Sequence, residues 1–281
     1  QKADLLVLLG KPLDFTLKFG DTPAVNADCQ FVVIDPDIEL IERASLSKGA
    51  RLIHNAIADS MPAARTLTER SRSVGNAEWC TAVHAAIEHR PDVWKEITGE
   101  EGALHALDFC RGVQSFLASH PSHVLIMDGG EIGQWSQANL DNERRITNGV
   151  AGSIGAATPF ALAARVAEQN DPVLTIMGDG TFGFHMAEFD TAVRNDIPFV
   201  AVVGNDACWN AEHQIQIRDY GENRAHACEL LPARYDQVVE AMGGYGEHVT
   251  RAEDVAGAIE RAYASGKPAC VNVMIQSVAA P

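Results

Sequence analysis

Short apolar runs alternate with segments of helical periodicity along most of the chain. The runs that predict buried strands are residues 4–9, 31–35, 123–127, 173–177, 198–203 and 269–275. The segments that predict helices are 102–118, 153–168, 184–195, 234–242 and 252–265. Continuous apolar runs are typical of strands that are buried on both faces of a sheet. The pattern therefore predicts an α/β fold, with a mostly parallel sheet flanked by helices.

The same pattern divides the chain into three parts. Residues 1–70 carry two strands and predict a partial α/β domain of Rossmann-like type, whereas residues 71–100 are polar and predict a linker with helical stretches. Residues 101–281 form a second α/β unit. Because the first strand begins within the first ten residues, we expect the chain to be part of a longer polypeptide. Cleavage of a terminal region and a compact natural form remain open as alternatives.

Composition narrows the classes of function. The chain has 281 residues, with 38 Asp and Glu against 22 Lys and Arg and a formal charge of −16. Without a basic stripe to neutralise a phosphate backbone, we expect no nucleic-acid partner. No apolar run approaches the roughly 20 residues that span a bilayer, and no signal pattern occurs, so we expect no membrane partner and a cytoplasmic protein. The six cysteines lack zinc-site spacing and predict mostly reduced thiols.

Two aspartates follow successive predicted strands. Asp179 follows residues 173–177 and Asp206 follows residues 198–203. Ligands of parallel sheets bind beyond the carboxyl ends of the strands, so we expect both carboxylates at the same edge. The helix predicted after Gly180-Thr181 offers free N–H groups that suit a phosphate. The pattern predicts a Mg²⁺ ion that bridges the protein and a diphosphate. An ordinary tight turn and a helix cap are the alternative interpretation.

Several motifs in order carry a resemblance to thiamine diphosphate enzymes. The stretch GDGTFGFHMAEFDTAVRNDIPFVAVVGNDACW resembles their cofactor motif, which begins with GDG and most often ends in Asn-Asn. NGVAGSIGAATPFALAARVA resembles the segment that presses an apolar side chain between the two cofactor rings. ADLLVLLGKPLDFTLKFG and FVVIDPD resemble the late part of the family's central domain. The resemblance implies a thiamine diphosphate-binding fold, preceded by a partial Rossmann-like central domain.

The resemblance implies a role for each matching residue. The implied Mg²⁺ ligands are the carboxylates of Asp179 and Asp206 and the backbone carbonyl of Cys208. Ile154 matches the wedge between the rings. Asp206 replaces the usual second Asn, so tighter Mg²⁺ binding and greater sensitivity to acid are expected. A contact between Glu131 and the diphosphate is unfavourable unless the metal or a proton intervenes, because a diphosphate repels a carboxylate. The full implied set of cofactor-binding residues is Gly130, Glu131, Gly152, Ser153, Ile154, Gly178, Gly180, Thr181 and Asn205, with Gln134 as a weaker candidate.

One half of such a site has no counterpart in these residues. No segment resembles the N-terminal pyrimidine-binding domain, which supplies the glutamate that activates the cofactor. The resemblance therefore implies that this chain alone is inactive, and that catalysis needs that domain within a homodimer or homotetramer. His213 is the first candidate for proton transfer, ahead of His185 and His226, with a surface or capping role as the alternative. Trp209 and Asn210 are expected to face the substrate channel.

The sequence leaves three functions open. The C-terminal segment is most similar to the branch with 2-hydroxyacyl-CoA lyase, oxalyl-CoA decarboxylase and benzaldehyde lyase. This similarity implies C–C bond cleavage or formation next to a carbonyl, with a 2-oxo acid, a 2-hydroxy ketone or an acyl-CoA as substrate. GNDACW also occurs in acetolactate synthase-like sequences, so pyruvate is the alternative substrate. A non-catalytic nucleotide-binding or regulatory protein is the third hypothesis. Asp35 and Asp37 are placed to contact the ribose of ADP or FAD in the central domain, although residues 1–70 contain no GxGxxG.

Overall fold

The computed structural model describes residues 2–71, 75–149 and 152–281. Residues 72–74 of the predicted linker, and 150–151 of the segment that resembles the ring wedge, lie outside this range. The chain forms two compact units, Gln1–Glu88 and His89–Pro281. Among the described residues, every helix is too short or too polar to cross a membrane.

The first unit is a three-stranded parallel sheet with helices. Leu8 and Val33 of the sheet pack against Ile41 and Ala44 of one helix. The two predicted strands are present, and a third, with His54 and Asn55 in its middle, was not predicted because it lacks an apolar run. The elements are β1 (Leu5–Leu9), β2 (Gln30–Asp35), α1 (Ile38–Lys48), β3 (Leu52–Ile57), α2 (Ser60–Arg70) and α3 (Ala77–Glu88), and the strand order is β1-β2-β3.

The second unit is a six-stranded sheet with strand order β5-β4-β6-β7-β9-β8, and each neighbouring pair is parallel. Its strands are β4 (Val124–Met127), β5 (Arg145–Thr147), β6 (Val173–Gly178), β7 (Val200–Asn205), β8 (Tyr245–Val249) and β9 (Ala269–Met274). Its helices are α4 (Ala106–Ser119), α5 (Glu131–Asn139), α6 (Ala157–Ala167), α7 (Asp179–His185), α8 (Glu188–Arg194), α9 (Asn210–Tyr220), α10 (Tyr235–Ala241) and α11 (Val255–Ala264).

Both faces of this sheet are buried. On β6, Leu174 and Ile176 pack into a cluster with α4, α5 and α11, whereas Val173 and Met177 pack into a second cluster with α6 and α8. Successive side chains of a strand point to opposite faces, so a strand between two helical layers needs apolar residues at every position. The predicted α/β fold with a parallel sheet flanked by helices is thereby confirmed.

Several predicted boundaries differ from the structure. The helix predicted over 184–195 is two helices, α7 and α8, and the first begins at Asp179 itself. The helix predicted from 102 begins at Ala106, because His105 and Asp108 form a capping box there. The edge strands β5 and β8 and the polar helices α5 and α9 were not predicted. The 3-residue β5 and the partly exposed β8 lack the apolar runs of the central strands.

Candidate functional site

The carboxyl ends of β6 and β7 lie side by side in the second unit. Gly178 pairs with Gly204 in the parallel ladder, so the residues that follow these strands, Asp179 and Asp206, emerge at the same edge. Burial raises the pKa of Asp179 to about 6. Burial and the charge of Asp179 together raise the pKa of Asp206 to about 8. The structure thus brings together the two aspartates that the sequence places 27 positions apart.

The Asp179 carboxylate has one oxygen in use and one without a partner. Its Oδ1 accepts a hydrogen bond from the Gly180 N–H at 2.9 Å. Its Oδ2 is buried and has no hydrogen-bond partner among the described residues. Native structures rarely leave a buried polar atom unsatisfied, because the group has lost its hydration without compensation. A cation bound between Asp179 and Asp206 would supply the missing partner and remove the repulsion between the two charges.

The available donors fit Mg²⁺ held jointly with a ligand. Carboxylate oxygens are hard donors of the kind Mg²⁺ prefers, and Mg²⁺ needs six of them. Within the described ranges, no group of three or more His, Cys, Asp and Glu side chains is arranged to hold a metal. Two carboxylates leave most of an octahedron to backbone carbonyls, water and ligand oxygens. This donor set suits a metal that is bound together with a diphosphate.

The turn after β7 carries Cys208, whose thiol is neutral. Burial raises its pKa to about 11, so the sulfur is a poor ligand for Mg²⁺. The sulfur lies 3.4 Å from Nδ1 of His213 on α9. Ala207 adopts φ 53°, a left-handed conformation that is uncommon outside glycine and that tightens the turn. Metal binding by the Cys208 carbonyl and proton transfer by His213 remain predictions.

Glycines let three segments approach each other at this edge. A Cβ on Gly129 would lie 2.2 Å from Cγ2 of Ile154, and a Cβ on Gly180 would lie 2.6 Å from the ring of Trp209. Gly130 has φ 86°, a conformation that favours glycine. Ile154 is only partly buried, as expected for a side chain that contacts a ligand. The predicted diphosphate loop, ring wedge and GDG turn therefore lie together around one cradle.

Other candidates from the same segments lie at the rim of this cradle. Gly178 belongs to the end of β6, and Thr181 is buried in the first turn of α7. Gly152 and Ser153 are exposed, and Gln134 is exposed on α5. Their contacts with a cofactor remain predictions.

The side chains of Glu131 and Asn210 face the C-terminal residues. The Glu131 carboxylate accepts a hydrogen bond from the Ala280 N–H at 2.6 Å, and burial raises its pKa. Asn210 is buried and donates to the Val278 carbonyl at 3.2 Å, and its place beside a substrate channel remains a prediction. The contact of Glu131 with a diphosphate remains a prediction, and Oε2 of its carboxylate already accepts from Ala280.

Asn205 holds the turn through its side chain. Its Nδ2 donates to the Ala233 carbonyl at 2.9 Å and to Oδ1 of Asn272 at 3.1 Å, while its Oδ1 accepts from the Ala207 N–H. Asn272 is fully buried on β9 and was missed by the sequence analysis. The signal that could have identified it is an amide inside the apolar run ACVNVM.

The remaining candidate residues have local structural partners. His185 lies with Nδ1 2.7 Å from the Gly155 carbonyl. The backbone N–H of His226 donates to Gln216. In the first unit, Asp35 accepts from the backbone N–H of Asp37, and Asp37 caps α1. Both carboxylates thus accept backbone hydrogen bonds at the turn between β2 and α1, and nothing in these bonds favours a ribose contact.

The packing of Trp209 over Gly180 gives a test of the cradle. We expect Gly180→Ala to lower the free energy of unfolding by about 1–3 kcal/mol, because the added methyl overlaps the indole ring. Gly183→Ala on the same helix is the matched control, since no atom of the described residues lies within 4 Å of its Cβ position. Urea titrations of both variants should show a loss for Gly180→Ala and none for Gly183→Ala. Equal stabilities would contradict the close contact.

Comparison with known proteins places this site in a family. The family model described as "Thiamine pyrophosphate enzyme, C-terminal TPP binding domain" matches residues 128–273, more than half of the chain. This range contains both aspartates, Ile154 and the glycine cradle.

Curated relatives match the whole chain but only part of their own length. The acetolactate synthase large subunit of Mycobacterium tuberculosis is 30% identical over 286 residues, covering 100% of this chain and 50% of that protein. The 2-hydroxyacyl-CoA lyase 2 of Caenorhabditis elegans is 27% identical over 293 residues, covering 97% of this chain and 44% of that protein. The chain thus spans about half the length of the curated relatives it matches.

A solved structure shares the fold. The thiamine diphosphate-dependent 4-hydroxybenzoylformate decarboxylase of Rhodococcus jostii superposes with a TM-score of 0.74 at 16% identity, covering 97% of this chain and 49% of that chain. The family match includes the strand ends, the two aspartates and the cradle described above. This chain therefore belongs to the thiamine pyrophosphate enzyme family.

Proposed function

We propose that the chain provides the Mg²⁺- and diphosphate-binding half of a thiamine diphosphate-dependent enzyme that cleaves or forms a C–C bond next to a carbonyl. The observation that carries this proposal is the neighbouring pair of buried Asp179 and partly buried Asp206, in which Oδ2 of Asp179 has no hydrogen-bond partner among the described residues. A divalent cation satisfies both carboxylates, and a diphosphate completes its coordination.

Different residues of the chain would bind the metal and the parts of the cofactor. Asp179 and Asp206 hold the metal, and the glycines around Gly180 admit the diphosphate without a side-chain clash. Ile154 supports the bent shape of the cofactor. When bound, thiamine diphosphate supplies the electron sink that such bond cleavage requires. His213, beside Cys208 at the same turn, is the proposed group for proton transfer to or from the substrate.

The relatives support two classes of substrate to a similar degree. A 2-hydroxyacyl-CoA lyase-like reaction is the first, supported by relatives of that name at 27% identity. Acetolactate formation from pyruvate is the alternative, favoured by the 30% identical M. tuberculosis relative. A purely nucleotide-binding role receives no support, because Asp37 caps α1 and Asp35 accepts from the Asp37 N–H. ADP or FAD in the first unit remains a prediction.

The proposed activity requires a partner for the pyrimidine ring. The half-length match to the relatives supports a pyrimidine-binding domain that lies outside these residues. Within the family such a domain meets the diphosphate domain in a homodimer or homotetramer, which we propose here as well. Location in the cytoplasm remains a prediction from composition.

Calorimetry on the gene product that carries these residues tests the cofactor. We expect thiamine diphosphate to bind when Mg²⁺ is present and to bind far more weakly in EDTA, because the two carboxylates repel an unaccompanied diphosphate. Inorganic pyrophosphate with Mg²⁺ should compete. Equally tight binding with and without the metal would contradict the proposed carboxylate clamp.

Product analysis then separates the substrate classes. The loaded protein is offered a 2-hydroxyacyl-CoA and, separately, pyruvate. Release of an aldehyde and formyl-CoA supports the lyase, whereas release of CO₂ with formation of acetolactate supports the alternative. A protein that binds cofactor and turns over neither compound would contradict both substrate proposals.

A further inference from the structure

Asp128 is a buried carboxylate that the proposed function does not use. It directly follows β4 and is 2% exposed. Its backbone N–H donates to the Ile176 carbonyl at 2.9 Å, so the residue continues the ladder with β6. Among the described residues, Asp128 forms no salt bridge with a basic side chain. A charge buried in this way needs other partners.

Each of its oxygens accepts a hydrogen bond from a backbone N–H group, one from the next residue and one from a distant segment. Oδ1 accepts from the Gly129 N–H at 2.6 Å. Oδ2 accepts from the Ala157 N–H at 2.7 Å, 29 positions away. These distances are short, as expected for hydrogen bonds to an ionised acceptor. Through Oδ2, Asp128 therefore links the end of β4 to a segment 29 positions away.

Ala157, which donates its N–H to Asp128, is the first residue of α6. This helix begins without a side chain from its own N-cap residue, Ala156, to accept a hydrogen bond. Asp128, which follows β4, supplies that acceptor from outside the helix, and its negative charge lies at the positive end of the helix. The start of α6 is thereby fixed to the end of β4.

The two segments that Asp128 joins are those that shape the ring side of the cradle. Ile154 lies three residues before Ala157, and its Cγ2 lies 2.2 Å from the position of a Cβ on Gly129. Gly129 also accepts a hydrogen bond from the Gly178 N–H through its carbonyl. Loss of the bond between Asp128 and the Ala157 N–H would allow Ile154 to move relative to the Gly129-Gly130 turn. The two aspartates proposed to bind the metal directly follow β6 and β7 and are not bonded to Asp128.

We propose that Asp128 is a positioning residue that holds Ile154 at the place where it supports the ring portion of the cofactor. It does so by tying the start of α6 to the glycine turn after β4. The inference rests on the proposed function only in its identification of the ligand as Mg²⁺ with thiamine diphosphate. Asp128 acts through Ile154 and does not contact the reacting atoms.

A comparison of two ligands tests this role in the complete gene product. In Asp128→Asn, the amide NH₂ replaces one carboxylate oxygen and faces the N–H group of either Gly129 or Ala157. That hydrogen bond is lost to repulsion between two donors, and the other bond keeps only a neutral acceptor. With saturating Mg²⁺, we expect the dissociation constant of thiamine diphosphate to rise about tenfold or more, the usual range for loss of a charged hydrogen bond. That of inorganic pyrophosphate, which has no rings to meet Ile154, should change by less than about twofold. Calorimetry measures both ligands.

Asp108→Asn is the matched control. Asp108 is also buried, and it accepts from the Gly99 and His105 N–H groups at the start of α4. Its substitution should lower thermal stability without changing the affinity for either ligand. Asp128→Glu provides a second variant, because it keeps the charge but displaces the acceptors by one methylene. It should show the same selective loss if Asp128→Asn does not fold.

The outcomes separate this inference from the proposed function. Wild-type protein that binds thiamine diphosphate, with an Asp128→Asn variant that binds it equally well, overturns the positioning role alone. An equal loss of both ligands shows a general structural role and also overturns it. Wild-type protein that binds neither ligand overturns the proposed function and this inference together.

Discussion

Asp179→Ala is expected to abolish Mg²⁺-dependent binding of thiamine diphosphate to the gene product that carries this chain. Asp179 is 1% exposed, and its Oδ2, which has no hydrogen-bond partner in the described part of the chain, is the acceptor that the bound metal would satisfy. Removing this ligand leaves the metal with one protein carboxylate. We expect the affinity to fall by about 100-fold or more, because a direct charge-to-metal contact in a buried site is strong. Calorimetry with saturating Mg²⁺ measures this loss.

Asp190→Ala is the control for this substitution. Asp190 lies on α8, eleven residues further along the same motif, and its side chain is 57% exposed in a salt bridge with Arg194. An exposed pair of this kind contributes at most about 1 kcal/mol to stability. The control variant should bind cofactor as the wild type does. Retained Mg²⁺-dependent binding in Asp179→Ala would show that the metal lies elsewhere, and equal losses in both variants would show that the effect is not local.

The central strands could be predicted from sequence because both of their faces are buried. In β6 and β7 every residue is buried, so the apolar run itself marks the strand. β5 and β8 lie at the two edges of the sheet, where helices cover them less and polar residues such as Arg145 and Glu247 are tolerated. Apolar runs therefore identify the strands that helices cover on both faces, and they do not identify the strands at the edges of the sheet.

The candidate site was predictable only where topology determines it. Asp179 and Asp206 follow adjacent parallel strands, and this alone brings them together. The partners of Asn205 and Asp128 depend on contacts across 67 and 29 positions, which no local pattern encodes. The orientation of Glu131 and Asn210 toward residues 278–280 likewise depends on the path of the chain after β9. The family resemblance indicates which segments meet, and the structure shows which side chains are already occupied.

Asp206→Asn is expected to have opposite effects on the metal-free and metal-bound protein. Without metal, burial and the charge of Asp179 raise the pKa of Asp206 to about 8, and that of Asp179 is about 6. An unfolded aspartate ionises near 3.9. The folded protein therefore binds more protons than the unfolded chain between about pH 4 and 8, and its stability falls as the pH rises through that window. An amide carries no charge, so the variant should avoid the part of this loss due to Asp206.

Thermal unfolding in EDTA between pH 4.5 and 8.5 checks the first effect. We expect the wild type to lose stability with rising pH and the variant to lose less, so that at pH 8 the variant is more stable by on the order of 2–5 kcal/mol. With Mg²⁺ and thiamine diphosphate the order should reverse, because an amide is a weaker ligand than a carboxylate and the affinity should fall about 10- to 100-fold.

Asp236→Asn tests whether any buried aspartate behaves in this way. Salt-bridged to Arg234, Asp236 has a lowered pKa, so its loss should destabilise the protein at neutral pH in EDTA. A variant at Asp206 that is destabilised in EDTA at pH 8 would show that the two carboxylates do not repel each other in the folded chain.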